Sequence, residues 1–136
     1  MSNELNREAV VTSIAPWLSV GNSAEAVAFY KKAFGPTEIF SLDAGDNTIA
    51  RLAVDGAEFW VGPGSSEHFN FSPDLLGGST VRIILTVSDP DGVFDRAVNA
   101  GATCVYPVHD EHGWRIGRVV DPSGHHWEIG CPLDAV

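Results

Sequence analysis

A chain of 136 residues, with 44% hydrophobic and 19% charged residues, has the length and balance of one globular domain rather than of a disordered chain. Its formal net charge of −10, with no run of lysine or arginine, disfavours binding to nucleic acid. The same charge either favours a cationic ligand or serves only solubility. No apolar stretch approaches the roughly 20 residues that cross a bilayer, so we expect no membrane partner.

The first residues and the cysteines indicate the compartment. Residues 1–10 carry Glu4, Arg7 and Glu8 where a secretory signal would need an apolar run. We therefore expect a cytoplasmic protein. Cys104 and Cys131 lie apart in strand-like segments without the CxxC spacing of metal or redox sites. They are expected to be buried free thiols.

The first half of the chain has the pattern of a strand, a helix and three further strands. Alternating apolar residues over Ile14–Val20 predict the first strand. Asn22 offers a side-chain oxygen that caps the start of a helix, and Gly35 is a typical helix terminator. The remaining strands are predicted at about 37–42, 48–54 and 56–62.

The second half repeats this order. Val81–Val87 predicts a strand, Asp89 and Pro90 suit the start of a helix, and Gly101 suits its end. Further strands are predicted at about 103–108, 114–120 and 124–130. Such a repeat predicts an α+β fold of two tandem βαβββ modules forming a cupped, mostly antiparallel mixed sheet. We expect a single domain over residues 1–136, with module one at about 11–63 and module two at about 80–132.

A connector at about 64–79 joins the modules. Its glycines, serines and prolines predict irregular backbone, and connections of this length are uncommon unless they act as connectors or lids. His68, Phe69 and Phe71 either cover a pocket or only hold the connector on the surface.

Alternation along the strands sorts the side chains onto two faces. The apolar set should pack under the helices: Ile14, Pro16, Leu18 and Val20 in module one, and Val81, Ile83, Leu85 and Val87 in module two. The opposite, non-helix face supplies the candidate ligand-binding residues: Trp17, Ser19, Glu58, Trp60, Arg82, Ile84, His126 and Glu128. Because two tryptophans are unusual on a solvated sheet, this face is predicted to line a small-molecule cavity or to bury them against a second subunit. Arg82 and Glu128 either pair with each other or contact the ligand.

Three segments resemble a known superfamily. They are Pro16-Trp17-Leu18, the run AVAFYKKAFG at residues 26–35, and the tail GWRIGRVVDPSGHHW at residues 113–127. Together they are similar to the vicinal-oxygen-chelate superfamily, also called the glyoxalase/bleomycin resistance/dioxygenase superfamily, and the tail looks like its PhnB-like branch. The resemblance covers about residues 11–131. It implies the predicted fold and, through members resembling bleomycin-binding proteins, a homodimer.

The resemblance also places four possible metal ligands. Members that catalyse metal chemistry hold one divalent ion with His and Glu side chains from the first and last strands of each module. The matching positions here are Ala15, Trp60, Arg82 and Glu128. Only Glu128 is a metal-binding residue type, and the positive charge of Arg82 would repel an ion. We therefore expect neither a metal ion nor another cofactor.

Three functions follow from these observations. The first is metal-independent binding or sequestration of a small, partly aromatic and possibly cationic molecule in the cupped cavity. The second is an enzyme of the glyoxalase, dioxygenase or epimerase type with a noncanonical metal site or with acid/base chemistry, for which Glu128 and His126 are the candidate catalytic residues. The third is a dimeric interaction module without a small ligand. The sequence favours the first and identifies no specific ligand.

Overall fold

The computed structural model describes residues 7–134. Module one comprises β1 (Trp17–Val20), α1 (Ser23–Phe34), β2 (Thr37–Leu42), β3 (Ile49–Val54) and β4 (Ala57–Pro63). A short helix α2 (Pro73–Leu76) lies in the connector. Module two comprises β5 (Arg82–Thr86), α3 (Pro90–Ala100), β6 (Thr103–Glu111), β7 (Trp114–Val120) and β8 (His126–Pro132).

Each module forms its own four-stranded mixed sheet. The strand orders are β1-β4-β3-β2 and β5-β8-β7-β6. The first strand of each module runs parallel to the last, and the other neighbours are antiparallel. The predicted α+β class and the duplicated βαβββ unit are confirmed.

The two long helices begin and end as their sequences predict. The Asn22 side chain accepts a hydrogen bond from the backbone N–H of Glu25, and Asp89 accepts one from Gly92, which satisfies free donors at the first turns. α1 ends at Gly35 in the left-handed conformation (φ 60°) that glycine adopts without strain. The caps therefore fix where each helix leaves its sheet.

Both modules contribute to one hydrophobic core. α1 packs against α3. The ring of Trp127 in β8 lies 5.3 Å from that of Phe59 in β4 and 4.7 Å from that of Phe34 in α1, measured between centroids. The helix-side faces of the two sheets therefore look toward each other. Because successive residues of a strand point to opposite sides, the two non-helix faces lie on opposite outer surfaces of the chain.

Three expectations about burial are wrong. Ile14 is 98% exposed, because β1 begins only at Trp17 and residue 14 precedes the sheet. Val81 likewise precedes β5 and is exposed. Cys104 is exposed on the edge strand β6 and Cys131 is half-buried in β8, although both are free thiols as expected. Within residues 7–134, no helix combines the length and apolar character needed to cross a membrane.

Candidate functional site

Four side chains form a row straight across the non-helix face of the first sheet. Trp17 of β1 is in register with Trp60 of β4, followed by Arg51 of β3 and Phe40 of β2. The indoles of Trp17 and Trp60 stack with centroids 5.8 Å apart and planes inclined by 13°. The Phe40 ring lies 6.2 Å from that of Trp60 between centroids. We call Trp17, Trp60 and Phe40 the aromatic platform.

Three neighbours hold this platform in place. The guanidinium carbon of Arg51 lies 5.6 Å from the Trp60 ring centroid, a cation–π contact. Arg51 Nε also donates to Glu58 Oε1 at 2.7 Å, so its charge is paired on the same face. Gly62 lies beneath the Trp17 indole, where any Cβ would collide with the ring. Trp17 nevertheless stays 47% exposed, so the platform is open to solvent.

The second sheet carries the equivalent row with different chemistry. Ile84 of β5 is in register with Glu128 of β8, followed by Arg118 of β7 and Tyr106 of β6. Through the shared strand order, Glu128 occupies the position of Trp60 and Tyr106 that of Phe40. Module two therefore presents a charged row where module one presents rings.

The carboxylate of Glu128 is the centre of this second row. It is 9% exposed and accepts a hydrogen bond from Tyr106 Oη at 2.8 Å. Arg82 Nε lies 3.1 Å from Oε1, and an Arg118 terminal nitrogen lies 3.8 Å from the same oxygen. Desolvation, followed by the hydrogen bond and negative charge of Glu128, raises the pKa of Tyr106 above its ordinary 10.0, so the phenol remains a donor at neutral pH. We call Glu128, Arg82, Arg118 and Tyr106 the Glu128 cluster.

Two buried polar atoms beside Glu128 have no hydrogen-bond partner. They are Arg118 Nε and His126 Nδ1. The Arg118 side chain is 20% exposed and lies against Tyr106, with its guanidinium carbon 5.4 Å from the ring centroid. Buried polar groups are usually paired, so an unpaired guanidinium nitrogen is a feature that calls for a physical reason.

The structure brings the sequence-predicted residues together in two groups rather than one. Trp17, Ser19, Glu58 and Trp60 are on the first sheet, and Arg82, Ile84, His126 and Glu128 are on the second. Since the two non-helix faces lie on opposite outer surfaces, one chain does not unite the groups in a single cavity. Of the two alternatives for Arg82 and Glu128, the ion pair between them is present.

One direct contact links the modules beside the platform. His125 Nε2 lies 2.9 Å from the carbonyl oxygen of Ser19, so the ring donates from this nitrogen. A cleft of about 370 Å³ opens next to Trp17 between the modules. Phe71 of the connector lines this cleft, whereas Phe69 does not line it and is exposed. Part of the connector therefore lies over the edge of the platform.

The positions that the resemblance assigns to a metal do not fit one. Trp60 is part of the aromatic platform, and the Glu128 carboxylate is engaged by Tyr106 and Arg82. Among residues 7–134, no three His, Cys, Asp or Glu side chains come together as a metal-binding group. The donor chemistry of these positions therefore disagrees with a divalent ion.

Sequence reasoning missed four residues of the two rows. Phe40, Arg51, Tyr106 and Arg118 all lie on the middle and outer strands, whose faces were left unassigned. The sequence does contain a pattern that could have found them. The outer strands β2 and β6 each carry an aromatic residue of the row, and the neighbouring strands β3 and β7 each carry an arginine. Register shifts in β2 and β6 obscure this pattern, since they interrupt the two-residue alternation.

Comparisons with known proteins agree with this architecture. The family model described as a glyoxalase-like domain matches residues 17–130. An uncharacterized Mycobacterium bovis protein is 38% identical over 133 residues, covering 93% of this chain and 88% of the relative. The crystal structure of TioX from Micromonospora sp. ML1 is 30% identical with a TM-score of 0.69, covering 90% of this chain and 100% of TioX.

A more distant structure shares the fold alone. It is a glyoxalase/bleomycin resistance protein/dioxygenase family enzyme from Burkholderia phytofirmans PsJN, 18% identical with a TM-score of 0.70, covering 90% of this chain and 100% of that protein. The matched segment runs from the first platform residue into β8 and includes both rows. The chain belongs to the glyoxalase-like domain family.

Proposed function

We propose that this protein binds a small, partly aromatic molecule without the help of a metal ion. The observation that carries this proposal is the aromatic platform. Stacked, solvent-open indoles offer a flat apolar surface with a guanidinium behind it, which suits the face of a planar ring. A sheet face without a ligand or a protein partner gains nothing from leaving such a surface in water.

The enzymatic alternative is less well supported. A general base needs a free lone pair directed at its substrate. The Glu128 carboxylate is instead held by Tyr106 and Arg82. His126 has one unpartnered ring nitrogen, but no carboxylate ion-paired to it within the described residues. Binding therefore accounts for the Glu128 cluster with fewer assumptions than catalysis does.

We further propose that the protein is a homodimer and that both modules contribute to one binding site. A second copy that sets its Glu128 cluster against the aromatic platform of the first would unite the two predicted groups. The exposed Trp17 and Ile84 would then be covered. A dimeric interaction module without a small ligand would cover them in the same way. The cytoplasmic location and the PhnB-like branch stay proposals that rest on the sequence alone.

The platform is tested with a screen of flat aromatic compounds, using naphthol as the reference probe and isothermal titration for affinity. Trp60→Ala and Trp17→Ala should each weaken the hits by about tenfold, since ring stacking contributes on the order of 1 kcal/mol or more. Phe69→Ala, in the connector and outside the cleft, is the control and should bind as wild type does. If both platform variants bind every hit normally, the proposed surface is wrong.

Metal independence is tested by elemental analysis of the purified protein. We expect far less than one equivalent of zinc, nickel, manganese or iron, and unchanged naphthol binding after treatment with a chelator. One full equivalent of any of these metals, lost together with binding on chelation, contradicts the proposal.

A further inference from the structure

The non-helix face of module two carries an excess of positive charge at its centre. Arg82 and Arg118 flank one carboxylate, that of Glu128. Arg82 makes the shorter contact, with Nε 3.1 Å from Oε1. Tyr106 occupies the other oxygen with its hydroxyl. Both carboxylate oxygens of Glu128 therefore already have a partner other than Arg118.

The positive charge of the Arg118 guanidinium is therefore only partly balanced by negative charge. Its closest carboxylate oxygen is 3.8 Å away, beyond hydrogen-bond distance, and its Nε is buried without a partner. The guanidinium also contacts Tyr106, both the ring, 5.4 Å from centroid to guanidinium carbon, and the neutral phenol, which supplies no counter-charge. Burying a charge without a hydrogen-bonded counter-charge costs free energy. An external anion would compensate it through the exposed fifth of the side chain, since Nε itself is closed to solvent.

The centre of this face is recessed relative to its edge. The side chains of the edge strand, Arg82 and Ile84, are exposed, whereas Glu128 and Arg118 on the central strands are recessed. The floor of this face is therefore lower than its rim. Guanidinium groups at floor and rim present planar donor sets that match the two oxygens of a carboxylate.

We propose that the Glu128 cluster binds a carboxylate of the ligand through Arg118 and Arg82, so that the preferred ligand is an aromatic acid. This inference rests on the proposed function, because the ring of the same molecule is assigned to the aromatic platform. It opposes the preference for cations that the net charge of −10 favours. Surface charges are screened beyond about 8 Å at physiological salt, so the recessed guanidinium determines the local preference.

Three naphthalene probes that share one ring system test the charge preference. They are naphthoate, neutral naphthol and the cationic naphthylmethylamine, titrated into the wild-type protein by calorimetry. Naphthoate should bind at least about tenfold more tightly than naphthylmethylamine, with naphthol between them. Equal affinity, or tighter binding of the amine, overturns the inference.

Substitution of Arg118 identifies the responsible group. Arg118→Gln should lower naphthoate affinity to that of naphthol while leaving naphthol binding unchanged within about twofold. Arg96→Gln, on the exposed side of α3, removes the same charge and should keep the naphthoate preference. If Arg118→Gln is unfolded by circular dichroism, Arg82→Gln replaces it, because that side chain is 56% exposed. A full preference in the folded variant contradicts the assignment.

The two proposals fail in different ways. If naphthol binding depends on Trp60 but the three probes show no charge preference, the carboxylate site is wrong and the proposed function stands. Binding of none of the three probes, or naphthol binding unaffected by Trp60→Ala, removes the proposed function and the carboxylate site together.

Discussion

At the scale of the single residue, Asp121 accepts four hydrogen bonds, of which the one from Tyr30 connects the modules. It is 4% exposed, and its Oδ2 accepts from the Tyr30 hydroxyl and, at 2.9 Å, from Trp127 Nε1. Its Oδ1 accepts from the backbone N–H groups of Ser123 and His125, both at 3.0 Å. These bonds tie α1 to the β7–β8 turn.

Asp121→Asn should therefore destabilise the protein strongly. The amide replaces one acceptor oxygen by a donor, which must then face either two side-chain donors or two backbone donors. We expect a loss of about 2–4 kcal/mol in the free energy of unfolding, measured with chemical denaturant. Asp95→Asn, exposed on α3, is the control and should cost less than about 0.5 kcal/mol. A similar small loss for Asp121→Asn would contradict the structural role.

Tyr30 gives this cluster a pH dependence. Burial, followed by the negative charge of Asp121 and the hydrogen bond to it, raises the pKa of the phenol well above 10.0. Because the folded pKa is the higher one, the stabilisation is complete below the unfolded value, near pH 10, and is lost as the pH rises through the folded value. The unfolding free energy should fall above about pH 10.

Tyr30→Phe tests this dependence through denaturation at several alkaline pH values. The variant should be less stable at neutral pH and should lose less stability between neutral and alkaline pH. Tyr106, whose pKa is raised as well, is compared through Tyr106→Phe and should account for the smaller part. An identical alkaline slope in wild type and Tyr30→Phe would show that this phenol does not carry the effect.

At the scale of the element, the glycine in β4 determines how two strands present their tryptophans. Gly62 lies in register with Ser19, and its missing Cβ leaves the space that the Trp17 indole fills. The stacked geometry of Trp17 and Trp60 thus depends on a residue without a side chain.

Gly62→Ala should displace the Trp17 ring and separate the stacked pair. The indole N–H resonances of Trp17 and Trp60 should shift in the NMR spectrum, and naphthol affinity should fall by about tenfold. Gly21→Ala is the matched control, since a Cβ at that position meets nothing within 4 Å. Unshifted resonances in Gly62→Ala would contradict the packing of Trp17.

Strand alternation predicted the faces of the first and last strands of each module and failed beyond them. Leu18, Val20 and Leu85 are buried in the core as predicted. Phe40 and Tyr106 were missed because each follows a register shift in its strand, which changes the face on which later residues lie. The local sequence shows that side chains alternate between the two faces of a strand. Pairing with the neighbouring strand determines where a register shift interrupts that alternation.

At the scale of the whole molecule, the relative placement of the two modules lay beyond the sequence. A repeat predicts that two similar units exist, and each unit has one apolar face to cover. It does not say whether the units meet edge to edge or through their helix-side faces. Contacts between distant residues, such as Trp127 with Phe59, determine this choice and put the two rows on opposite surfaces.

Mixing two variants that bind poorly tests whether the site is shared between the two subunits of a dimer. Trp60→Ala chains and Arg118→Gln chains should each bind naphthoate poorly as homodimers. After exchange of subunits, each mixed dimer would contain one site with both lesions and one intact site. Normal affinity should return for about a quarter of all sites at equal mixing.

Sedimentation of the wild-type protein should first show a dimer. No recovery of binding in a mixture with proven subunit exchange would mean that each site lies within one chain. A monomer at all concentrations would contradict the shared site directly.

The packing of Trp127 on module-one residues also bears on the origin of the chain. A lone module would leave an apolar sheet face and one flank of its helix in water, which a unit of about half this length cannot offset. Before duplication, an ancestral unit would have needed an identical copy to shield that surface. Once the copies were fused, their outer surfaces were free to diverge, one toward rings and the other toward charge.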